Sequence, residues 1–371
     1  MNKAQTDLFF LLRLALWGKK NISTDAAILV DWNGVWQLAK EQCVMGIVAD
    51  SFQLLDECQS QGLNKLLWLG YVLRLEKKNA ELNELVGKLF AKFHMMELMP
   101  VLMKGQAFAT NYPCPLHRQC GDIDIYFKER TDCEKAVRWA EKVDKTAAES
   151  SENKRERKHF TFSIGENVVE LHYFMCLFEN AKLQRRLQEI IDWEFTNAEP
   201  FFVVINGKQT ETVSPTLSVL HQLLHITRHL LEAGIGLRQI CDLAVYLRKN
   251  HNIIDAVRLN GYLVELQLMK TAKVLGYIMA EHLGLPKEVI PFEIDEQYAD
   301  FILQEIFEGG NFGKKKVVYR HGKNGIQRKI DSIVYFYHRC QLYKPLLPIE
   351  AKSYFWNKIK LNVKLIFVHH Y

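Results

Sequence analysis

The chain has 371 residues, 48 % hydrophobic and 25 % charged, which calls for two or three packing units and excludes a disulfide-stapled miniprotein or a disordered segment. Its 48 basic and 43 acidic residues leave a formal charge of +5, too near neutrality for bulk charge to announce a nucleic-acid partner. The eight cysteines never form Cys-x-x-Cys, which argues against a structural zinc site or a disulfide framework and for reduced thiols in a cytoplasm.

At the amino terminus, the apolar run from Leu8 to Trp17 is interrupted by Arg13 and lacks an Ala-x-Ala-like cleavage site, so it reads as an amphipathic helix rather than a signal core. No window reaches about 18 uncharged apolar residues, so no transmembrane helix is expected. Helical spacing continues to about residue 95, with Asp31 and Asn33 as capping candidates and one or two extended helices between Leu66 and His94. The texture changes at Pro100. Val101 to Met103 and Ile123 to Phe127 read as buried strands, and Cys133 to Lys145 as a helix. The charged stretch from Glu149 to Lys158 is expected to be an exposed connection. Two hairpins follow: Phe160 to Ile164 with Val168 to Tyr173, and Phe201 to Ile205 with Gln209 to Val213 across Asn206-Gly207. Ser214-Pro215 starts a helix, with the hydroxyl at the cap, and helical periodicity runs on to the end. The fold expected is α+β and mostly helical overall. A helical region over 1–97 and a helical domain over 214–371 flank a small mixed-sheet domain over 98–213.

The chemistry is concentrated in Met103-Lys104-Gly105-Gln106 and Gly121-Asp122-Ile123-Asp124-Ile125. Two carboxylates one residue apart in a strand share a face, roughly 6 to 7 Å apart along the backbone. Inside an apolar strand they ask for a divalent ion or a strong basic partner. Hard oxygen donors favour Mg²⁺ or Mn²⁺ over zinc, and a third carboxylate commonly completes such a site. Glu170, set in an apolar strand, is the candidate. His172 shares its face by period two, either touching substrate, orienting a carboxylate, or simply filling core or surface. Lys104, Gly105 and Gln106 follow a strand, where backbone amides opening the next helix can hold anionic oxygens. Arg118 either grips a triphosphate or pairs with the Asp couple.

These residues look like the nucleotidyltransferase superfamily typified by DNA polymerase beta: strand, Gly with a small polar residue, helix, then Asp-x-Asp on the next strand. Residues 102–127, LMKGQAFATNYPCPLHRQCGDIDIYF, resemble more specifically a bacterial family of uncharacterised nucleotidyltransferases, through Lys104-Gly105, Tyr112-Pro113, Arg118 and Gly121 to Asp124. LLRLALWG, DWNGVWQLAKEQCV, VELHY, LLHITRH and LRQICDLAVYL extend the likeness over most of residues 8–250. The usual Gly-Ser pair is Gly105-Gln106 here. The resemblance implies transfer of a nucleoside monophosphate from an NTP to an acceptor hydroxyl, with pyrophosphate leaving and Mg²⁺ or Mn²⁺ held by Asp122, Asp124 and Glu170. A small molecule, a protein or an RNA end would serve as acceptor. The rival readings are a catalytically degenerate nucleotide-binding or regulatory module, and an RNA-end-modifying nucleic-acid binder.

Three secondary features remain. His221, His225 and His229 form one helical stripe, in which two neighbouring imidazoles either bind a metal or pack against the catalytic unit, with His225 or His229 reaching the nucleotide as a further reading. Arg238 and Asp242, at i and i+4, make an intrahelical ion pair or else face the cleft. The basic residues from Lys314 to Lys329 form either a solvated loop or a surface for nucleic acid or an anionic membrane.

Overall fold

The structure is a computed structural model that describes residues 1–18, 29–149, 158–311 and 325–368. It is mostly helical around a six-stranded mixed sheet, an α+β fold. The basic segment lies outside the described residues up to position 324, and its last positions open a helix.

The amino-terminal quarter is helical, in α1 (Lys3–Trp17), α2 (Trp32–Glu41), α3 (Met45–Ala49) and α4 (Lys65–Met95). Asn2 closes a capping box with Gln5, and α1 buries Leu8, Leu11, Leu12 and Ala15, the stripe that the spacing requires. Asp31 caps α2 by accepting from the Gly34 amide at 3.0 Å. The 31-residue α4, about 45 Å long at 1.5 Å per residue, spans two cores. Trp68 near its start joins the larger one, while Leu82, Val86, Leu89 and Phe93 pack against the sheet in the other.

The middle of the chain gives β1 (Pro100–Met103), the short α5 (Gly105–Ala109), β2 (Ile123–Phe127), α6 (Arg130–Val143) and α7 (Lys145–Glu149). Next come β3 (His159–Ile164), β4 (Asn167–His172), α8 (Ala181–Asn197), β5 (Phe201–Ile205) and β6 (Lys208–Thr212). The sheet order is β3-β4-β2-β1-β6-β5. β2 runs antiparallel to β1 and parallel to β4, and β1 runs parallel to β6. Both hairpins form where expected: Gly165 takes φ +61° in one turn, and Asn206 and Gly207 take +49° and +73° in the other, as a two-residue primed turn requires. Alternation then divides the sheet. Ile123, Ile125 and Phe127 of β2, with Val169 and Leu171 of β4, enter the core shared with α4 and α6. Asp124, Glu170 and His172 fall on the opposite face.

The remainder is α9 (Pro215–Glu232), α10 (Leu237–Asn250), α11 (Ala256–Glu265), α12 (Met269–Glu281), α13 (Ala299–Gly309), α14 (Gly325–Tyr343) and α15 (Pro348–Val368). These helices share the larger core with α1 to α3. Trp17 Nε1 donates to Leu283 O at 2.6 Å and Gln42 Nε2 to Ile306 O at 3.0 Å, tying the two ends of the chain together.

Two local expectations are corrected. Ser214 occupies the cap position of α9 but does not cap it; its hydroxyl donates to Glu194 Oε2 at 2.7 Å. The chain between the two hairpins also holds α8, capped by Asn180, which the sequence reading omitted.

Glu350, in the first turn of α15, accepts from the Glu179 and Asn180 amides at 2.6 and 3.1 Å. Burial pushes its carboxyl up to about 7 from an ordinary 4.5, the amides and Arg228 only partly opposing. The folded state therefore binds the proton more tightly. Stability held by the neutral carboxyl is fully present below about 4.5 and lost as pH rises through about 7. Urea midpoints of the wild type should fall across that window, and Glu350→Gln should flatten this part of the profile.

Candidate active site

A cleft of about 470 Å³ lies between the sheet and the carboxyl-terminal helices, with Asp122, Asp124 and Glu170 on one wall. Sheet register assembles that wall. Met103 faces Asp124 across β1 and β2, Asp124 faces Glu170 across β2 and β4, and Tyr126 faces His172. Asp122 stands just ahead of β2 rather than inside it. One oxygen from each of Asp122, Asp124 and Glu170 lies within 4.8 Å of the others.

The turn after β1 brings the countercharge. Lys104 and Gly105 take φ +41° and +42° in succession, an unusual state for a lysine and one that such sites often store. A Cβ on Gly105 would make ordinary contact with Asp122 O at 3.4 Å, so it is the dihedral that calls for glycine. The turn sets Lys104 Nζ 2.9 Å from Asp124 Oδ1, and His172 Nε2 reaches the same oxygen at 2.8 Å. His172 is fully buried and also 3.2 Å from Glu170 Oε2, so it orients the carboxylates. His159 of β3 approaches Glu170 Oε1 at 3.5 Å.

The charges respond accordingly. Burial alone would raise the Asp124 carboxyl, but Lys104 and His172 hold it well below the carboxylate range. Asp122, beside the Asp124 charge and largely buried, is pushed up. Burial would lower the Lys104 ammonium, yet Asp124, Asp122 and Glu170 hold it up to about 12. This surplus of negative charge in hard oxygen donors fits a divalent cation of the Mg²⁺ or Mn²⁺ class.

The facing wall comes from α9 and α10. His225 and His229 line the cleft with ring centroids 4.4 Å apart, while His221 is buried with Nε2 3.2 Å from Met175 O. Burial, reinforced by Lys104, depresses His221 and His229 to about 3 and His225 well below its ordinary value, so all three are neutral. Arg238 and Asp242 also line the cleft but do not form the expected intrahelical pair. Arg238 donates instead to Gln119 O at 2.6 Å. Arg118 grips Asp242 with Nε–Oδ1 3.0 Å and Nη2–Oδ2 2.7 Å, rather than pairing with Asp122 or Asp124. Tyr112 adds a bond to Asp242 Oδ1 at 2.8 Å. This buried bidentate pair straps the loop ahead of β2 to α10.

Gly105 and Gly121 line the cleft, but Gln106 is not among its lining residues. The Gln106 side chain is 1 % exposed, with neither amide atom partnered among the described residues. Lys158, assigned from sequence to the exposed charged connection, is a cleft-lining residue, as is His159. Burial, then the charge of Lys104, depresses the Lys158 ammonium. The signal for both was their position opening the strand that pairs with the Glu170 strand.

Comparison with known proteins now decides the family. A family model described as an uncharacterised nucleotidyltransferase matches residues 29–284. The chain belongs to that family. No curated protein matches the chain. Among solved structures it is similar to an antigenic nucleotidyltransferase-like protein from Paracoccidioides brasiliensis, at 12 % identity and a TM-score of 0.29, over 60 % of this chain and 95 % of that one. At that score no residue role carries over. No described helix of this nucleotidyltransferase-family chain is long and apolar enough to cross a membrane.

Removing one member of the buried strap strands the other. Asp242→Ala should lower the stability measured by urea unfolding by about 3–5 kcal/mol, and Tyr112→Phe, which removes one bond to a charged group, by only about 1.5–3 kcal/mol.

Proposed function

We propose that the chain transfers a nucleoside monophosphate from an NTP to an acceptor hydroxyl, releasing pyrophosphate. The observation that carries this reading is the convergence of Asp122, Asp124 and Glu170 within 4.8 Å, opposite a lysine, in a cleft large enough for a nucleotide. Asp122, Asp124 and Glu170 would hold Mg²⁺ or Mn²⁺, which when bound supplies Lewis acidity to the phosphoryl oxygens.

The chain's own groups do the rest. Lys104 sets a fixed positive charge beside the carboxylates, and the Gln106 amide, ahead of the Ala107 and Phe108 amides that bond to Lys104 O, would offer a donor to a phosphate oxygen. Lys158 and Arg238 add positive charge along the path of a triphosphate. Glu170, 17 % exposed against 2 % for Asp124, would assist the acceptor hydroxyl as it attacks the α-phosphorus. His172 keeps Asp124 and Glu170 aimed into the cleft. Presence of all three acids speaks against a degenerate module, and the acceptor class is left to a screen of small molecules, proteins and RNA ends.

Titration calorimetry with each of the four NTPs and Mg²⁺ tests the reading. At least one NTP should bind in a metal-dependent way, and Asp122→Ala/Asp124→Ala should abolish that binding. A double variant that binds as the wild type does would overturn the proposal. His172→Asn, which leaves the ligands but removes their orienting bond, should weaken metal-dependent binding by about 10- to 100-fold.

A further inference from the structure

A second set of metal-competent side chains meets on the loop that leads into β2, outside the cleft. Asp50 at the end of α3, Cys114 and His117 place a carboxylate oxygen, a sulfur and a ring nitrogen within 4.8 Å of one another. His117 Nδ1 is 2.5 Å from Asp50 Oδ1, and its Nε2 is 2.9 Å from Glu76 Oε1 on α4. With an acceptor against each nitrogen, both must carry protons, and the ring sits as a cation between two carboxylates.

These donors are held by more than their own contacts. Asn79, 2 % exposed on α4, donates its side-chain amide to Leu116 O at 2.6 Å and to Arg118 O at 2.8 Å, pinning the backbone on both sides of His117. Gly46 of α3 passes so close that a Cβ there would lie 2.2 Å from His117 O. The loop and the end of α3 are thus locked together, and the donor atoms start near the spacing a small cation needs.

We propose that Asp50, Cys114 and His117 form a binding site for a transition cation of the Zn²⁺ class. The Asp50 carboxylate, the Cys114 thiolate and His117 Nδ1 are the ligands, and Glu76 accepts from the Nε2–H. One sulfur, one nitrogen and one oxygen donor suit zinc or cobalt and not Mg²⁺, which the all-oxygen cleft suits. A carboxylate on the far nitrogen is the usual device for fixing the tautomer of a ligating histidine. Binding exchanges two protons for the ion, one from His117 Nδ1 and one from the Cys114 thiol, and the thiolate and carboxylate balance its two charges. Since the loop runs on through Arg118 to Asp122, the ion would clamp the approach to the cleft. The inference does not depend on nucleotidyl transfer.

The test is cobalt titration of the full chain. Wild type should bind Co²⁺ with a sulfur-to-cobalt charge-transfer band in the near ultraviolet, which ions held by the all-oxygen cleft do not give. Cys114→Ser, at an exposed position, should fold as the wild type does by circular dichroism and lose the band. Glu76→Gln should weaken binding about 10- to 100-fold, and Asp122→Ala/Asp124→Ala should keep the band. Absence of the band from the wild type, or its survival in Cys114→Ser, would refute the site. Alkylation mapped by mass spectrometry gives an independent readout: Zn²⁺ should protect Cys114 while exposed Cys58 stays reactive. Equal labelling of Cys114 with and without Zn²⁺ would equally refute it.

Discussion

Three carboxylates on one face of a sheet repel one another, and the whole centre of this molecule is arranged around that repulsion. Lys104 and His172 meet Asp124 on a single oxygen, which neutralises the most buried acid and leaves Asp122 and Glu170 facing the cleft. Each side chain reaches that oxygen because of a different backbone constraint. For Lys104 it is a turn through two successive positive φ angles, and for His172 it is parallel pairing of β2 with β4. A slip of one residue in that register would send Glu170 and His172 into the apolar core and turn Val169 and Leu171 to the cleft. The hydrophobic face of the sheet therefore enforces the chemistry of the polar one.

The opposite wall is built on another principle. Its histidines are neutral and its strongest charge pair, Arg118 with Asp242, is spent on holding loop to helix. A guanidinium committed to two short bonds with a buried carboxylate is poorly placed to follow a substrate, so the arginine carried by the family motif acts in this chain as a strap. Lys104, Lys158 and Arg238 are the other basic side chains that line the cleft.

Much of this was legible locally. Strand alternation, the Asn206-Gly207 turn and the Asp-x-Asp spacing each depend on neighbours in sequence, and each appears in the fold. The third acid could be picked out because a charged residue between Val169 and Leu171 needs a reason. What escaped depends on distant partners. Arg238 and Asp242 satisfy the rule for an intrahelical pair, yet Arg118 and Gln119, more than a hundred residues away, outcompete it. Ser214 has the chemistry of a cap but answers to Glu194. Lys158 sits in a charged run whose composition reads as solvated surface, and only pairing of β3 beside β4 brings it inward. Helix α8 shows the right period at Leu183, Leu187, Ile190 and Ile191, but it lies between two hairpin signals that drew the reading to strands.

The stitching of α1 to the far end of the chain has a consequence for how the protein is made. Phe9 packs on His282 and Phe307, and Trp17 bonds to Leu283 O, so these side chains of α1, unlike those that pack on α2 and α3, meet their partners only after the 266 residues that separate Trp17 from Leu283 have been synthesised. At about 5–20 residues per second, that is a wait of tens of seconds for Phe9 and Trp17. The sheet and α4, whose contacts close within a much shorter span, are complete before then and offer a formed surface on which the two ends can later dock.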